Sequence, residues 1–256
     1  MKYKLTVLYL FFLLIIGCKG KTEKDIPNWH TKKKAIENKV HNQLLNVEKE
    51  QGWALLFDGK SLNGWHLYNK PDSTAFSAWE VTDGMLYCNA TDETKVFGDL
   101  VTDKAFENYE LVFEWQMALR GNGGVFINVQ EAPEFSATYL TGPEYQLLEP
   151  AHMDTNNPKK RPGCLWGISV QKNEVEAKPN GQWNTSKIIQ KDGRIEFYLN
   201  GKLTAQEDLK AAEWTQKVAN SNFADNPDFG KATQGQLALQ NWYFDVWFRN
   251  MKIKEL

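Results

Sequence analysis

The chain has 256 residues, with 30 Lys and Arg against 32 Asp and Glu and a formal net charge of −2 at pH 7, a balance that excludes the electrostatic footprint of a nucleic-acid-binding protein. Three cysteines in this length exclude a disulfide framework. Ten tryptophans and an aromatic share of 13% supply more flat faces than packing alone demands, and such faces suit sugar rings.

At the N-terminus Lys2 and Lys4 precede an apolar run from Leu5 to Ile16, and Ile15-Ile16-Gly17-Cys18 resembles a bacterial lipobox. The run is too short for a comfortable membrane span. The pattern predicts a signal peptide over residues 1–17, acylation of Cys18, and a protein held by lipid in the bacterial cell envelope, in the periplasm or at the outer-membrane surface. Loss of the peptide removes two lysines and no acid, which makes the mature balance −4. The two other cysteines, Cys88 and Cys164, either pair or remain separate buried thiols, and no Cys-x-x-Cys or Cys/His spacing suggests a zinc site.

Residues 18–51 read as a polar, lysine-rich spacer. Thr31 stands as an N-cap, and Ile36, Val40, Leu44 and Val47 recur at helical spacing, which predicts one amphipathic helix. From residue 52 to 256 the pattern becomes short alternating segments between turn residues. The clearest strand covers residues 109–116, with Tyr109, Leu111, Phe113 and Trp115 on one face; 125–130 alternates likewise. Segments 186–190 and 194–200 flank Lys191-Asp192-Gly193, a hairpin signal, and Asn200-Gly201 is a second turn. A helix is expected over 209–221, and strands over 236–242 and 246–253 close the chain. There is no internal repeat and no dinucleotide or P-loop glycine pattern. The expectation is one all-β sandwich over 52–256 with an appended helix.

Within it, residues 142–152, Gly-Pro-Glu-Tyr-Gln-Leu-Leu-Glu-Pro-Ala-His, set polar groups at strand spacing. Glu144 and Gln146 share a face because side chains alternate with period two. Glu149, five positions on, joins that face only if a bulge intervenes, and His152 follows Pro150. Two carboxyls, an amide and an imidazole meeting in one cleft are equipment for acid/base work on a sugar. The same residues also fit the solvated face of a half-buried sheet.

Several blocks in order carry a wider likeness: Gly52-Trp53-Ala54-Leu55-Leu56-Phe57-Asp58-Gly59, Trp79-Glu80-Val81-Thr82-Asp83-Gly84, Glu114-Trp115, Glu144-Tyr145-Gln146-Leu147-Leu148, Leu199-Asn200-Gly201 and Val246-Trp247-Phe248-Arg249-Asn250. Together they resemble the 3-keto-disaccharide hydrolase family. The resemblance implies a concanavalin A-like jelly-roll β-sandwich with a carbohydrate groove, and action on glycosides oxidised to a ketone at C3, beside an oxidoreductase that makes the ketone. The spacing Glu144-x-Gln146-x-x-Glu149 is also similar to that of laminarinase-type retaining glucanases, except that an amide stands where they carry an aspartate, which argues against ordinary retaining hydrolysis.

A C3 ketone acidifies C2–H, so the C1–O bond can break by elimination, needing a base at C2, a donor for the enolate oxygen and an acid for the leaving group. Glu144 or Glu149 is the expected base and His152 the expected proton donor or metal contact. Glu114, Arg120, Asn122, Gln146, Gln240 and Trp242 are candidate substrate contacts. The chain departs from the family where Phe197 replaces a histidine and where Asn241-Trp242-Tyr243-Phe244 replaces Asp-His-Gly-Asp. A carbohydrate-binding lipoprotein without catalysis is therefore the competing expectation. No cofactor is demanded; a structural calcium or other divalent metal stays open, with Asp58, Glu149 and His152 as donors.

Overall fold

The structure, a computed structural model, describes residues 40–89 and 91–256. The lipobox with Cys18, Thr31 and Ile36 lies outside the described residues. The described chain opens with α1 (Asn46–Glu50), then β1 (Trp53–Leu55), β2 (Trp65–Leu67), β3 (Trp79–Thr82), β4 (Met85–Cys88), β5 (Leu100–Thr102), β6 (Tyr109–Met117), β7 (Asn122–Val129) and β8 (Glu144–Leu148). After a long loop come β9 (Asn184–Lys191), β10 (Arg194–Leu199), β11 (Lys202–Asp208), α2 (Ala212–Ala219), β12 (Gln236–Asn241) and β13 (Val246–Glu255).

The strands form two antiparallel sheets. The larger runs β11-β10-β9-β6-β13-β4-β3, with β1 paired to the far end of β13; the smaller runs β2-β5-β12-β7-β8. Alternation sets the core between them. Tyr109, Leu111, Phe113 and Trp115 of the larger sheet are buried against Val125, Ile127, Tyr145, Leu147, Leu237 and Leu239 of the smaller. This is the expected all-β jelly-roll sandwich. Phe197 is part of that core, its ring tilted against Tyr145 at 5.1 Å between ring centroids, so its side chain faces away from any surface groove.

The turn chemistry works as the sequence implies. Lys191 pairs with Arg194 across Asp192 and Gly193, whose φ values of 53° and 84° give the left-handed pair that a two-residue hairpin requires. Only residues 40–51 of the expected spacer are described. Among these described residues the helix covers Asn46–Glu50, and Val40 and Leu44 precede it. What holds this segment is a reciprocal clasp in which the Asn42 amide N–H donates to Asn250 Oδ1 (2.8 Å) and the Asn250 N–H donates to Asn42 Oδ1 (2.7 Å). Asn250, at φ 52°, sits in the register shift between Arg249 and Lys252 of β13, and it is this bulge that turns its backbone outward. Cys88 and Cys164 are free and buried.

Candidate functional site

β8 is the edge strand of the smaller sheet, and its outer edge does not stay open. The loop after it folds back: the Gln146 N–H donates to Cys164 O (3.1 Å), Gly163 N–H to Gln146 O (2.7 Å) and Trp166 N–H to Glu144 O (3.1 Å). Covering an edge strand in this way removes a template for aggregation. It also brings Asp154, Lys160 and Trp166 onto the outer face of the smaller sheet.

There a cavity of about 410 Å³ opens, with Asn122, Glu144, Lys160, Trp166, Gln240 and Trp242 among its walls. A second cavity of about 350 Å³ adjoins it and includes Asp99, Phe97 and Tyr243. Tyr139, Gln240 and Trp242 border both, so the two form one groove with a waist. Trp242 and Tyr243, 51% and 76% exposed, stand edge-to-face at 5.3 Å on its rim.

Glu144 pairs with Phe126 in register, but its carboxyl leans over Gly124 of β7. A Cβ at position 124 would lie 2.2 Å from Glu144 Oε1, so only glycine leaves the room. Glu144 is 8% exposed, and no group among the described residues hydrogen-bonds its carboxyl. Burial pushes its pKa well above the usual carboxylate range, and the nearby Asp99 charge pushes it further. Asp99, just ahead of β5, is itself raised to about 6 by burial, although the Thr138 hydroxyl donates to its Oδ2 and works the other way. The groove thus holds two carboxyl groups that keep their protons to unusually high pH, a common property of acid/base sites.

Of the residues singled out from the sequence, Glu144, Asn122, Gln240 and Trp242 share this groove. Gln146 lies fully buried beneath it: its Nε2 donates to Asn122 Oδ1 (2.9 Å) and its Oε1 has no partner. The expected convergence of Glu149 is corrected. The β7–β8 register runs from Phe126↔Glu144 to Asn122↔Leu148 without a shift, so no bulge returns Glu149 to that face. Its carboxylate instead accepts three backbone N–H groups, from Arg120 (2.8 Å), Ala151 (2.9 Å) and Asn180 (3.3 Å), and so pins three loops together. His152 caps a short 3₁₀ turn, its Nδ1 accepting from the Asp154 N–H (3.0 Å), and does not line the groove. Arg120 is exposed in the β6–β7 turn, where its φ is 62°.

Glu114 is corrected more sharply, since β6 belongs to the larger sheet and its even-numbered side chains face out on the opposite side of the sandwich. There Glu114 pairs with Arg249 at 2.7 Å, and that guanidinium covers the Trp183 ring at 3.8 Å. Asp58 is a turn residue whose Oδ1 accepts from the Lys60 and Ser61 N–H groups. Among the described residues no group of three His, Cys, Asp or Glu is arranged to hold a metal ion. Asp99, Thr138, Tyr139, Lys160 and Trp166 escaped the sequence reading, because each reaches the groove by a long-range loop contact with no local spacing to mark it.

Comparison with known proteins agrees with this architecture. Residues 52–254 match the family described as the 3-keto-alpha-glucoside-1,2-lyase-like domain. A Bacteroides thetaiotaomicron protein named 3-keto-disaccharide hydrolase is 30% identical over 233 residues, covering 80% of this chain and 79% of that protein. A crystal structure from Parabacteroides distasonis, described as a candidate glycosyl hydrolase, superposes with a TM-score of 0.76 at 32% identity, over 85% of this chain and 100% of the other. A second structure from the same species shares the fold, with a TM-score of 0.61 at 24% identity over 80% and 99% of the two chains.

Proposed function

The chain belongs to the 3-keto-alpha-glucoside-1,2-lyase-like family, and from that premise we propose that it cleaves glycosides whose sugar carries a ketone at C3, by proton abstraction and elimination followed by hydration. One observation carries the reading: Glu144, a buried carboxyl with no hydrogen-bond partner among the described residues, is held over a glycine in an aromatic-walled groove beside a second carboxyl of raised pKa.

A base for C2–H must be stronger than an ordinary carboxylate, and burial makes Glu144 so. Asp99 and Glu144 titrate as neighbours, and because burial raises both and each charge disfavours the other, the pair keeps a proton to higher pH than two exposed carboxyls would. In the reactive form Asp99 holds a proton for the leaving oxygen while Glu144 is ionised and takes the C2 hydrogen, the reverse of the arrangement that the deeper burial of Glu144 favours at rest. The keto sugar occupies the larger lobe and the leaving group the smaller. Trp242 and Tyr139, common to both, stack at the waist.

Lipid attachment through Cys18 would place this groove in the cell envelope, where a partner oxidoreductase supplies the ketone. A 3-keto-disaccharide offered beside the parent disaccharide tests the reaction. Cleavage that requires the ketone and is lost in Glu144→Gln supports it. Among the described residues no histidine lines either lobe, which favours the second reading, a binding protein without catalysis; saturable binding of the keto sugar with no turnover would establish that reading instead.

A further inference from the structure

We infer that Lys160 is the catalytic cation that receives the enolate oxygen at C3, with Asp154 as its positioning residue. The inference rests on the elimination reading above and assigns the one role that reading leaves empty. Abstraction of the C2 proton places a negative charge on O3 in a groove already occupied by two carboxyl groups, and in a water-poor site that charge needs a fixed donor or cation. Of the donors expected from the sequence, Asn122 and Gln240 line the lobe but carry no charge to balance the oxyanion, and the other two are not placed for it. Arg120 is exposed outside the groove, and the Gln146 amide is buried and committed to Asn122. Among the described residues lining the larger lobe, Lys160 is the only Lys or Arg.

Its geometry fits the task. Lys160 Nζ stands 3.3 Å from each Asp154 oxygen and 5.4 Å from the centroid of the Trp166 ring, with its side chain 27% exposed. One carboxylate cannot use all three ammonium protons, so the pair fixes the cation and leaves N–H groups for a ligand. Lys160 and Trp166 ride on the same loop, and the Trp166 N–H to Glu144 O bond ties that loop to the strand bearing the base. Cation and base are therefore held to one frame, in the lobe assigned to the keto sugar. Asp99 lies in the neighbouring lobe, where the leaving group is placed.

The step balances as follows. Glu144 takes the hydrogen from C2; the C–H pair becomes the C2=C3 bond, and the carbonyl pair moves onto O3, which Lys160 N–H groups hold as an oxyanion. When the pair returns, C1=C2 forms and the C1–O bond breaks, its electrons leaving with the glycosidic oxygen, which takes the proton from Asp99. Water then adds its hydroxyl to C1 and a proton to C2, giving the free 3-keto sugar.

The test uses the whole chain carrying Lys160→Gln, Lys160→Arg or Asp154→Asn, with a 3-keto-disaccharide for turnover and a 3-keto-glucoside in D2O for deuterium uptake at C2. The inference expects Lys160→Gln to lower kcat on the order of 100- to 1000-fold, the loss typical of one oxyanion donor, with KM changed less than about threefold and C2 exchange falling in parallel. Lys160→Arg, which keeps the charge, regains part of both rates. Asp154→Asn, which keeps the ammonium but loosens it, lies between, and also serves if Lys160→Gln does not fold. A variant set in which kcat and C2 exchange stay within about threefold of wild type, or in which only KM rises, overturns the inference and leaves the elimination reading standing. Wild-type protein that neither cleaves nor exchanges the keto sugar removes the elimination reading and Lys160's role with it.

Discussion

The carboxyl of Glu144 occupies the space that any side chain at Gly124 would fill, with a Cβ there only 2.2 Å from Oε1. Gly124 does not have a positive φ, so alanine fits its backbone, and the nearest atoms its Cβ would meet all belong to Glu144. Gly124→Ala should therefore act on the base specifically. Displacing a buried carboxyl costs roughly 1–3 kcal/mol of stability by overpacking and should lower kcat on the 3-keto substrate by at least about tenfold, since misplacement of a catalytic group by about 1 Å has effects of that size or larger. Thermal melts beside steady-state kinetics check both numbers. An alanine variant with wild-type kcat would mean that the leaning carboxyl has no part in the chemistry.

The same burial makes Glu144 a liability for folding. Its pKa is raised in the folded protein, so the folded state binds the proton more tightly than the unfolded chain does, and stability falls as pH rises through the window between the ordinary glutamate value of 4.5 and the raised one. Glu144→Gln removes that penalty. The variant should melt higher than wild type at pH 8 and close to it at pH 4, while losing activity. Melting curves at the two pH values decide the matter; equal Tm differences at both would contradict the raised pKa.

Asp99 allows the window to be stated in numbers. Its pKa rises from 3.8 to about 6, so stability is lost between those values as pH increases, amounting to roughly 2–3 kcal/mol once the group is fully ionised. Asp99→Asn should recover that stability at pH 7 and above, because an amide oxygen can still accept from Thr138. Kinetics should show the complementary sign. If the reactive form is the singly protonated pair, kcat/KM climbs as the pair loses its first proton and declines as it loses the second; in Asp99→Asn most of the rate is lost, the alkaline limb vanishes, and the acid limb, which is then the ionisation of Glu144, remains. A pH–rate profile flat from pH 5 to 8 would sink this assignment.

Much of the sandwich was legible because strand alternation and hairpin chemistry are local. Tyr109 to Met117 alternate without a break, and Asp192-Gly193 and Asn200-Gly201 mark turns by backbone conformation alone. The groove was legible only where it borrows that periodicity. Glu144 stands out from the sequence because it is a strand residue on the outer face, and Trp242 because it follows a strand. Asp99 and Lys160 carry no such mark. One precedes a three-residue strand, and the other lies on a loop whose path is set by Cys164 and Trp166 bonding along the β8 edge. Glu149 and Glu114 misled for the opposite reason. Spacing places a side chain on a face only while the strand and its sheet are known, and Glu149 lies past the end of β8 while Glu114 belongs to the other sheet.

Glu149 separates the two kinds of carboxylate experimentally. Its oxygens accept from the Arg120, Ala151 and Asn180 N–H groups, which belong to the β6–β7 turn, the loop after β8 and the segment before β9. Glu149→Ala strands those donors in a poorly hydrated place, where each unsatisfied group costs about 1–3 kcal/mol, partly relieved by water. The variant should lose about 3 kcal/mol of stability in denaturant titration. At a temperature well below its melting point, the 3-keto substrate should still turn over within about threefold of the wild-type kcat, because nothing that lines the groove has been removed. A loss of rate as deep as that of Glu144→Gln in a variant that remains folded would return Glu149 to the catalytic set and move the reacting centre away from the Glu144–Asp99 pair.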